Sequence, residues 1–257
     1  MQPLEITVQA AGTEEELCSN IRSALARGLP ELALAPIKHD GNIVLVASGW
    51  SMPDYIDEIK AHRKAGRPII AIKAAHDFLV ENGVYPDMWV ALDPRDRTGG
   101  IQRLNDHTIY MPASRCPPST FDHLQGRKVL LWHSWAEGPE MTAIGPGKLA
   151  IGGGTTSGLR AINIGYILGF RNFTLYGYDS CNRADGVKRF TGDTTGPSID
   201  VWVGGPNGKK FNCNMAMAQQ ANEFQKLFEV MPDLCLDVKG PGLIAEIMRV
   251  RDERRAA

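Results

Sequence analysis

Short apolar runs that end in glycine, serine or aspartate recur along this chain, separated by polar stretches with helical spacing. Asn42-Ile43-Val44-Leu45-Val46-Ala47 leads into Ser48-Gly49, and Ile69-Ile70-Ala71-Ile72 follows the breaker Gly66-Arg67-Pro68. Met88-Trp89-Val90-Ala91-Leu92 runs into Asp93-Pro94, and Asn172-Phe173-Thr174-Leu175-Tyr176 into Gly177-Tyr178-Asp179-Ser180. Such continuous runs, rather than alternating ones, belong to strands covered on both faces. Strands of this kind with helices between them form parallel neighbours, because a parallel pair needs a long crossover. The expected fold class is α/β with a mostly parallel sheet.

The rest of the chain fits that frame. Residues 13–29 read as a helix, with Leu17, Ile21 and Leu25 on one face and Glu14-Glu15-Glu16 at the end where the dipole favours acids. Further helices are expected at 53–65, 76–81, 159–168, 215–230 and 243–254, and further strands at 108–111, 128–132, 148–151 and 235–238. Residues 181–214 are rich in Gly, Asp, Thr and Asn and read as a loop with a small hairpin, 198–203 pairing with 210–213. A single domain over 1–257 is expected: a helical extension over 1–41, a core over 42–180, and the hairpin with C-terminal helices over 181–257.

Composition narrows the function classes. A formal net charge of -1 leaves no electrostatic footprint for duplex binding. The first residues lack a basic region followed by an apolar stretch, and no apolar run is long enough to span a bilayer. The five cysteines are scattered and show no Cys-x-x-Cys spacing, which fits reduced thiols in a cytoplasm. Nothing here separates a monomer from a homo-oligomer.

In parallel α/β sheets ligands bind outside the carboxyl ends of the strands, so the residues just after each strand are the first candidates. Ser48-Gly49-Trp50-Ser51 offers backbone N–H groups to a phosphate or ribose, with Trp50 either stacking on a base or packing over the sheet. Gly152-Gly153-Gly154-Thr155-Thr156-Ser157-Gly158 combines glycine freedom, three hydroxyls and a helix start. It reads as an anion-binding turn or as an ordinary tight connection with capping. It lacks the Lys-Ser/Thr ending of a P-loop and the spacing of a dinucleotide fingerprint. Asp93 and Asp96 bring carboxylates to a strand end, where Asp93 either binds Mg²⁺ or caps the Pro94 turn, and Asp179 ends another strand. His133 is an acid–base candidate or a structural histidine, and Ser180 lies beside Asp179. Arg95, Arg97, Arg183, Lys188 and Arg189 are available to neutralise phosphate. No nucleophile elbow or activated cysteine is visible, which disfavours covalent catalysis.

Taken together, the segments Val46-Ala47-Ser48-Gly49-Trp50-Ser51-Met52, Tyr85-Pro86-Asp87 with Ala91-Leu92-Asp93-Pro94, the glycine-rich turn and Tyr176-Gly177-Tyr178-Asp179-Ser180 resemble the MptE-like 6-hydroxymethylpterin diphosphokinase family. The resemblance covers about residues 42–180, and Met217-Ala218-Gln219-Gln220-Ala221 looks like stand-alone members from phage and prophage genomes. It implies a Rossmann-like three-layer sandwich that transfers diphosphate from ATP to a hydroxymethyl-type small-molecule acceptor with Mg²⁺. It also implies kinship with sialyltransferase-like and flagellin glycosyltransferase cores, where a CMP-type or other nucleotide-activated sugar is the donor. Carried onto this chain, nucleotide contacts fall to Ser48, Gly49, Trp50, Ser51, Gly153, Gly154, Thr155, Thr156, Ser157 and Ser180. Metal binding falls to Asp93 and Asp179, and catalysis to these two with His133. The chain departs from the family at Trp50, which stands in place of the proline of the usual Gly-Pro-Ser turn. A nucleotide-binding protein without catalysis is the remaining alternative.

Overall fold

The computed structural model describes residues 11–192, 200–204 and 208–256. The helix α1 (Glu14–Leu25) is opened by a capping box in which Thr13 and Glu16 satisfy each other's backbone N–H groups. Then follow β1 (Asn42–Val46), a 3₁₀ turn (Met52–Tyr55), α2 (Ile56–Lys64), β2 (Ile69–Ile72), α3 (Ala75–Glu81) and β3 (Met88–Ala91). The chain continues through β4 (Ile109–Pro112), α4 (Pro118–His123), β5 (Lys128–Val129), β6 (His133–Ser134), α5 (Pro139–Ile144) and β7 (Ala150–Ile151). The last third comprises α6 (Ser157–Ile167), β8 (Asn172–Tyr176), β9 (Asp200–Gly204), β10 (Lys210–Asn214), α7 (Met215–Val230), β11 (Cys235–Val238) and α8 (Leu243–Ala256).

Seven strands form one sheet in the order β11-β8-β1-β2-β3-β4-β5, and every pair in it is parallel. This is the expected Rossmann-like α/β architecture. The apolar runs explain it, since Ile43, Val44, Leu45, Val46, Ile69, Ile70, Ala71 and Val90 are all fully buried, as double-sided cover demands. The strand order reverses at β1, with β2 on one side and β8 on the other, and Val46 opposite Tyr176 sets the two exits side by side. That reversal is where such sheets open a crevice.

The amino ends of the strands are latched separately. Asp87 accepts from the backbone N–H that starts β2 at Ile69 (2.8 Å) and from Arg63 of α2 (2.9 Å to each oxygen). The Pro86-Asp87 motif therefore sits at the opposite edge from the strand exits and is structural.

The stretch expected over 128–132 follows β4 along its length: beyond Lys128–Val129, the Leu130 and Trp132 N–H groups donate to Tyr110 (2.9 Å) and Pro112 (3.5 Å). On its other side the Leu131 N–H donates to Pro30 (2.8 Å) while its carbonyl accepts from Leu32 (2.8 Å). His133–Ser134 then pairs with Ala150–Ile151 as a separate parallel pair. Two short helices, α4 and α5, are additions to the expected set, and each carries proline in its first turn, where the missing N–H is harmless. The hairpin is present as antiparallel β9 and β10; the part expected over 198–199 lies outside the described residues. Among the described residues no helix is long and apolar enough to cross a membrane.

Candidate functional site

At the β1/β8 exit the backbones meet closely. The Gly49 N–H donates to the Gly177 carbonyl (3.0 Å), and a Cβ on Gly49 would lie 2.3 Å from Asp179 Oδ2 and 2.4 Å from the Gly177 oxygen, so only glycine fits. Asp179 takes the Ser51 N–H on one oxygen (3.0 Å) and the Ser51 hydroxyl on the other (2.6 Å). Burial pushes the Asp179 carboxyl above its ordinary value, outweighing the two bonds from Ser51. Trp50 packs, since its indole N–H donates to the Cys181 carbonyl (3.1 Å) and its ring joins the small core of Phe211 and Cys213. Ser180 has a left-handed backbone (φ 50°), and its hydroxyl donates to the Met217 carbonyl in α7 (3.1 Å).

The glycine-rich turn is likewise engaged from within. Gly153 and Gly154 adopt φ of +95° and +105°, conformations that L side chains resist. Thr156 caps α6 by accepting from the Leu159 N–H, and the Ser157 hydroxyl accepts from Leu92 at the exit of β3 (3.2 Å). Both the N–H and the hydroxyl of Thr155 donate to Glu223 of α7, each at 2.9 Å. Arg160 gathers the carbonyls of Gly154, Ile151 and Trp135, and burial draws its guanidinium down to about 10. Glu223 thus holds both donors of Thr155, which an external anion would use.

An open cavity lies one strand over, at the exits of β1, β2 and β3. It encloses about 410 Å³, and its wall includes Ser48, Lys73, Asp93, Arg95, Arg97 and Arg189. Asp93 is the hub: it accepts from Lys73 Nζ (3.1 Å), Arg95 Nε (2.9 Å) and Nη2 (3.0 Å), and Arg97 Nε (3.3 Å). It also takes the Arg95 N–H (3.2 Å), the turn-capping geometry foreseen for it. Burial raises the Asp93 carboxyl, but the Arg95 hydrogen bonds and the Lys73 charge outweigh it and hold it well below the usual carboxylate range. Three cations meet one carboxylate, so this wall carries excess positive charge. Asp96 lines the same cavity and caps Thr98, accepting from its N–H (2.9 Å) and hydroxyl (2.7 Å).

Lys73 is the residue that sequence reasoning missed. Its signal was position alone, directly after β2. Burial draws its ammonium down against the opposing pull of Asp93. Cys116, also in the wall, is pushed up to about 12 by burial, which keeps it a thiol.

His133 is not among the residues lining this cavity. Its Nε2 lies 3.2 Å from Glu31, which also pairs with Lys148 (2.5 Å), so the histidine helps anchor the N-terminal segment. Arg183 pairs with Asp185 (2.6 Å), and Lys188 is buried. The carboxylates do not fit a shared Mg²⁺ in this arrangement. Asp93 lines the cavity with its oxygens on cations, while Asp179 is outside that lining with its oxygens on Ser51. Among the described residues no group of three His, Cys, Asp or Glu side chains is placed to hold a metal.

The sequence model of the 6-hydroxymethylpterin diphosphokinase MptE-like family matches residues 15–185, more than half of the chain. The chain belongs to that family. The MptE-like match extends past the described motifs on both sides, taking in α1 and the loop after β8, and it places the chain among transferases. A solved structure similar to this MptE-like chain is that of the MAf glycosyltransferase from Magnetospirillum magneticum AMB-1. The TM-score is 0.69 at 16% identity, over 97% of this chain and 43% of that one. The chain therefore spans less than half of that protein, and the likeness is one of fold. No curated protein matches it in sequence.

Proposed function

We propose that this MptE-like chain transfers diphosphate from ATP to the hydroxyl of a hydroxymethyl-type acceptor, with the donor's phosphates held in the cavity at the exits of β1, β2 and β3. The observation that carries this is the convergence of Lys73, Arg95 and Arg97 on the single carboxylate of Asp93, with Arg189 also in the wall. In the reaction the acceptor oxygen bonds to the β-phosphorus, the bond from that phosphorus to the α-phosphate oxygen breaks, and AMP leaves while the acceptor gives up its proton. Such transfer needs alignment and charge neutralisation rather than a protein nucleophile, which agrees with a cavity whose cysteine is held as a thiol. Magnesium enters as part of the substrate, bound to the ATP phosphates, and the protein's cations answer the remaining charge.

A second reading, glycosyl transfer from a CMP-type or other nucleotide-activated sugar, is favoured by the fold likeness to the MAf glycosyltransferase. The same cations would serve the donor's phosphate. A thermal-shift panel of ATP, CMP and CMP-sugar separates the two. A ligand at about one hundred times its Kd stabilises by about 2.7 kcal/mol, a shift of roughly 5–10 °C for a chain of this size. ATP should give that shift, and AMP should accumulate once an acceptor is supplied. A shift with CMP-sugar and none with ATP would reassign the donor. Binding without turnover across acceptors would leave a nucleotide-binding protein, and no shift with any of them would sink both transfer readings.

A further inference from the structure

Lys73 and Ser180 are the non-glycine residues with left-handed backbones among those described, and both stand at strand exits. Ser180 uses its conformation to bond α7. Lys73, at φ 51°, is over-determined by its surroundings. Its N–H donates to the Val90 carbonyl (3.2 Å), and its own carbonyl accepts from the Trp89 indole (3.0 Å) and from the His76 N–H (3.2 Å). Glycine is the relaxed choice for such a turn, so turn geometry does not account for a lysine here. The ammonium does. It reaches Asp93 at 3.1 Å in the cavity wall, and the Lys73 side chain is 33% exposed, against 59% for Arg95 and 55% for Arg97. Lys73 is therefore the deepest of the three cations around Asp93, and backbone strain of this kind persists where a site requires the side chain in one place.

We infer that Lys73 is the cation that contacts the phosphate being transferred, and that Trp89 is a positioning residue that holds Lys73 there through its backbone carbonyl. The two arginines, more exposed, hold the outer part of the donor. This assignment rests on the diphosphate-transfer reading above; with a nucleotide-sugar donor the same lysine would instead hold the phosphate that leaves.

The test is calorimetric titration of the full chain with inorganic pyrophosphate, using Lys73→Gly, Trp89→Phe and the double variant, with the melting temperature of each. Lys73→Gly should melt no lower than the wild type, because the turn relaxes, and should bind pyrophosphate at least tenfold more weakly. Trp89→Phe, which keeps the charge but removes the indole N–H, should weaken binding several-fold in the wild-type background and change nothing further in Lys73→Gly. A lower melting temperature for Lys73→Gly overturns the strain argument. A Trp89→Phe effect that persists in full without Lys73 overturns the positioning role. Wild-type binding that survives Lys73→Gly overturns this assignment alone, whereas a wild-type chain that binds no pyrophosphate overturns it together with the donor reading.

Discussion

Asp179 and Ser51 hold each other twice across the exit between β1 and β8, through the Ser51 N–H at 3.0 Å and its hydroxyl at 2.6 Å. A Cβ on Gly49 would intrude on this clasp at 2.3 Å from Asp179 and meet the Gly177 backbone at 2.4 Å. Backbone cannot yield as a flexible side-chain end can. Gly49→Ala should therefore cost about 3 kcal/mol, and Ser51→Ala, which strips a donor from a buried carboxylate, about 1–3 kcal/mol. Urea midpoints measure both; a Gly49→Ala protein as stable as the parent would show that the exits are not packed as described.

Asp93 sits under three cations, and its role decides what its removal does. If it serves to gather them, Asp93→Asn releases positive charge toward the ligand, and metal-free pyrophosphate should bind several-fold tighter. If it ligates magnesium, the same variant should bind ATP more weakly when the metal is present. Titrations with and without Mg²⁺ distinguish these, and the first outcome is expected.

Glu223 occupies the N–H and hydroxyl of Thr155 in the glycine-rich turn. Glu223→Ala should cost about 1 kcal/mol and speed hydrogen exchange in the first turns of α7. Affinity for pyrophosphate should stay unchanged, because this turn does not line the cavity. A marked gain in affinity would reveal the turn as an anion site held in reserve.

His133 supplies a pH test. Burial draws it below its ordinary value of 6.5, outweighing the pull of Glu31. The unfolded chain then takes up this proton first as pH falls, so ν_U exceeds ν_N and stability declines from the ordinary histidine range down to the lowered folded value. His133→Gln should flatten that part of the curve while leaving ATP binding intact. An identical pH slope in the variant would show that His133 does not titrate on unfolding.

Much of the molecule was legible from local pattern. The run from Asn172 to Tyr176, the helix over 215–230 and the strand over 235–238 stand in the structure with the expected bounds, because apolar periodicity and flanking glycines act within a few residues. The pairing of Leu131 with Pro30 and Leu32 on the outer side of the strand over 128–132 was not legible, since those partners lie about a hundred positions away in sequence. Nor were the two meanings of a strand-end carboxylate. Asp93 and Asp179 follow their strands in the same manner, yet one gathers cations in a cavity and the other fastens a turn.

What the sequence determined by itself is the alternation of buried strands and helices, and hence a parallel sheet with its polar exits on one edge. Only the tertiary structure decided which exits are open. Placing β8 beside β1 brings Asp179 onto Ser51, and docking α7 brings Glu223 onto Thr155, so each glycine-bearing turn has a residue engaged from within. Among the described residues, the exits of β2 and β3 line a cavity where Lys73, Arg95 and Arg97 converge. Covalent spacing sets what a residue is and which strand it follows. Hydrogen-bond partners and the local charge of a site arise from contacts between segments far apart in the chain, which strand order and helix docking alone create.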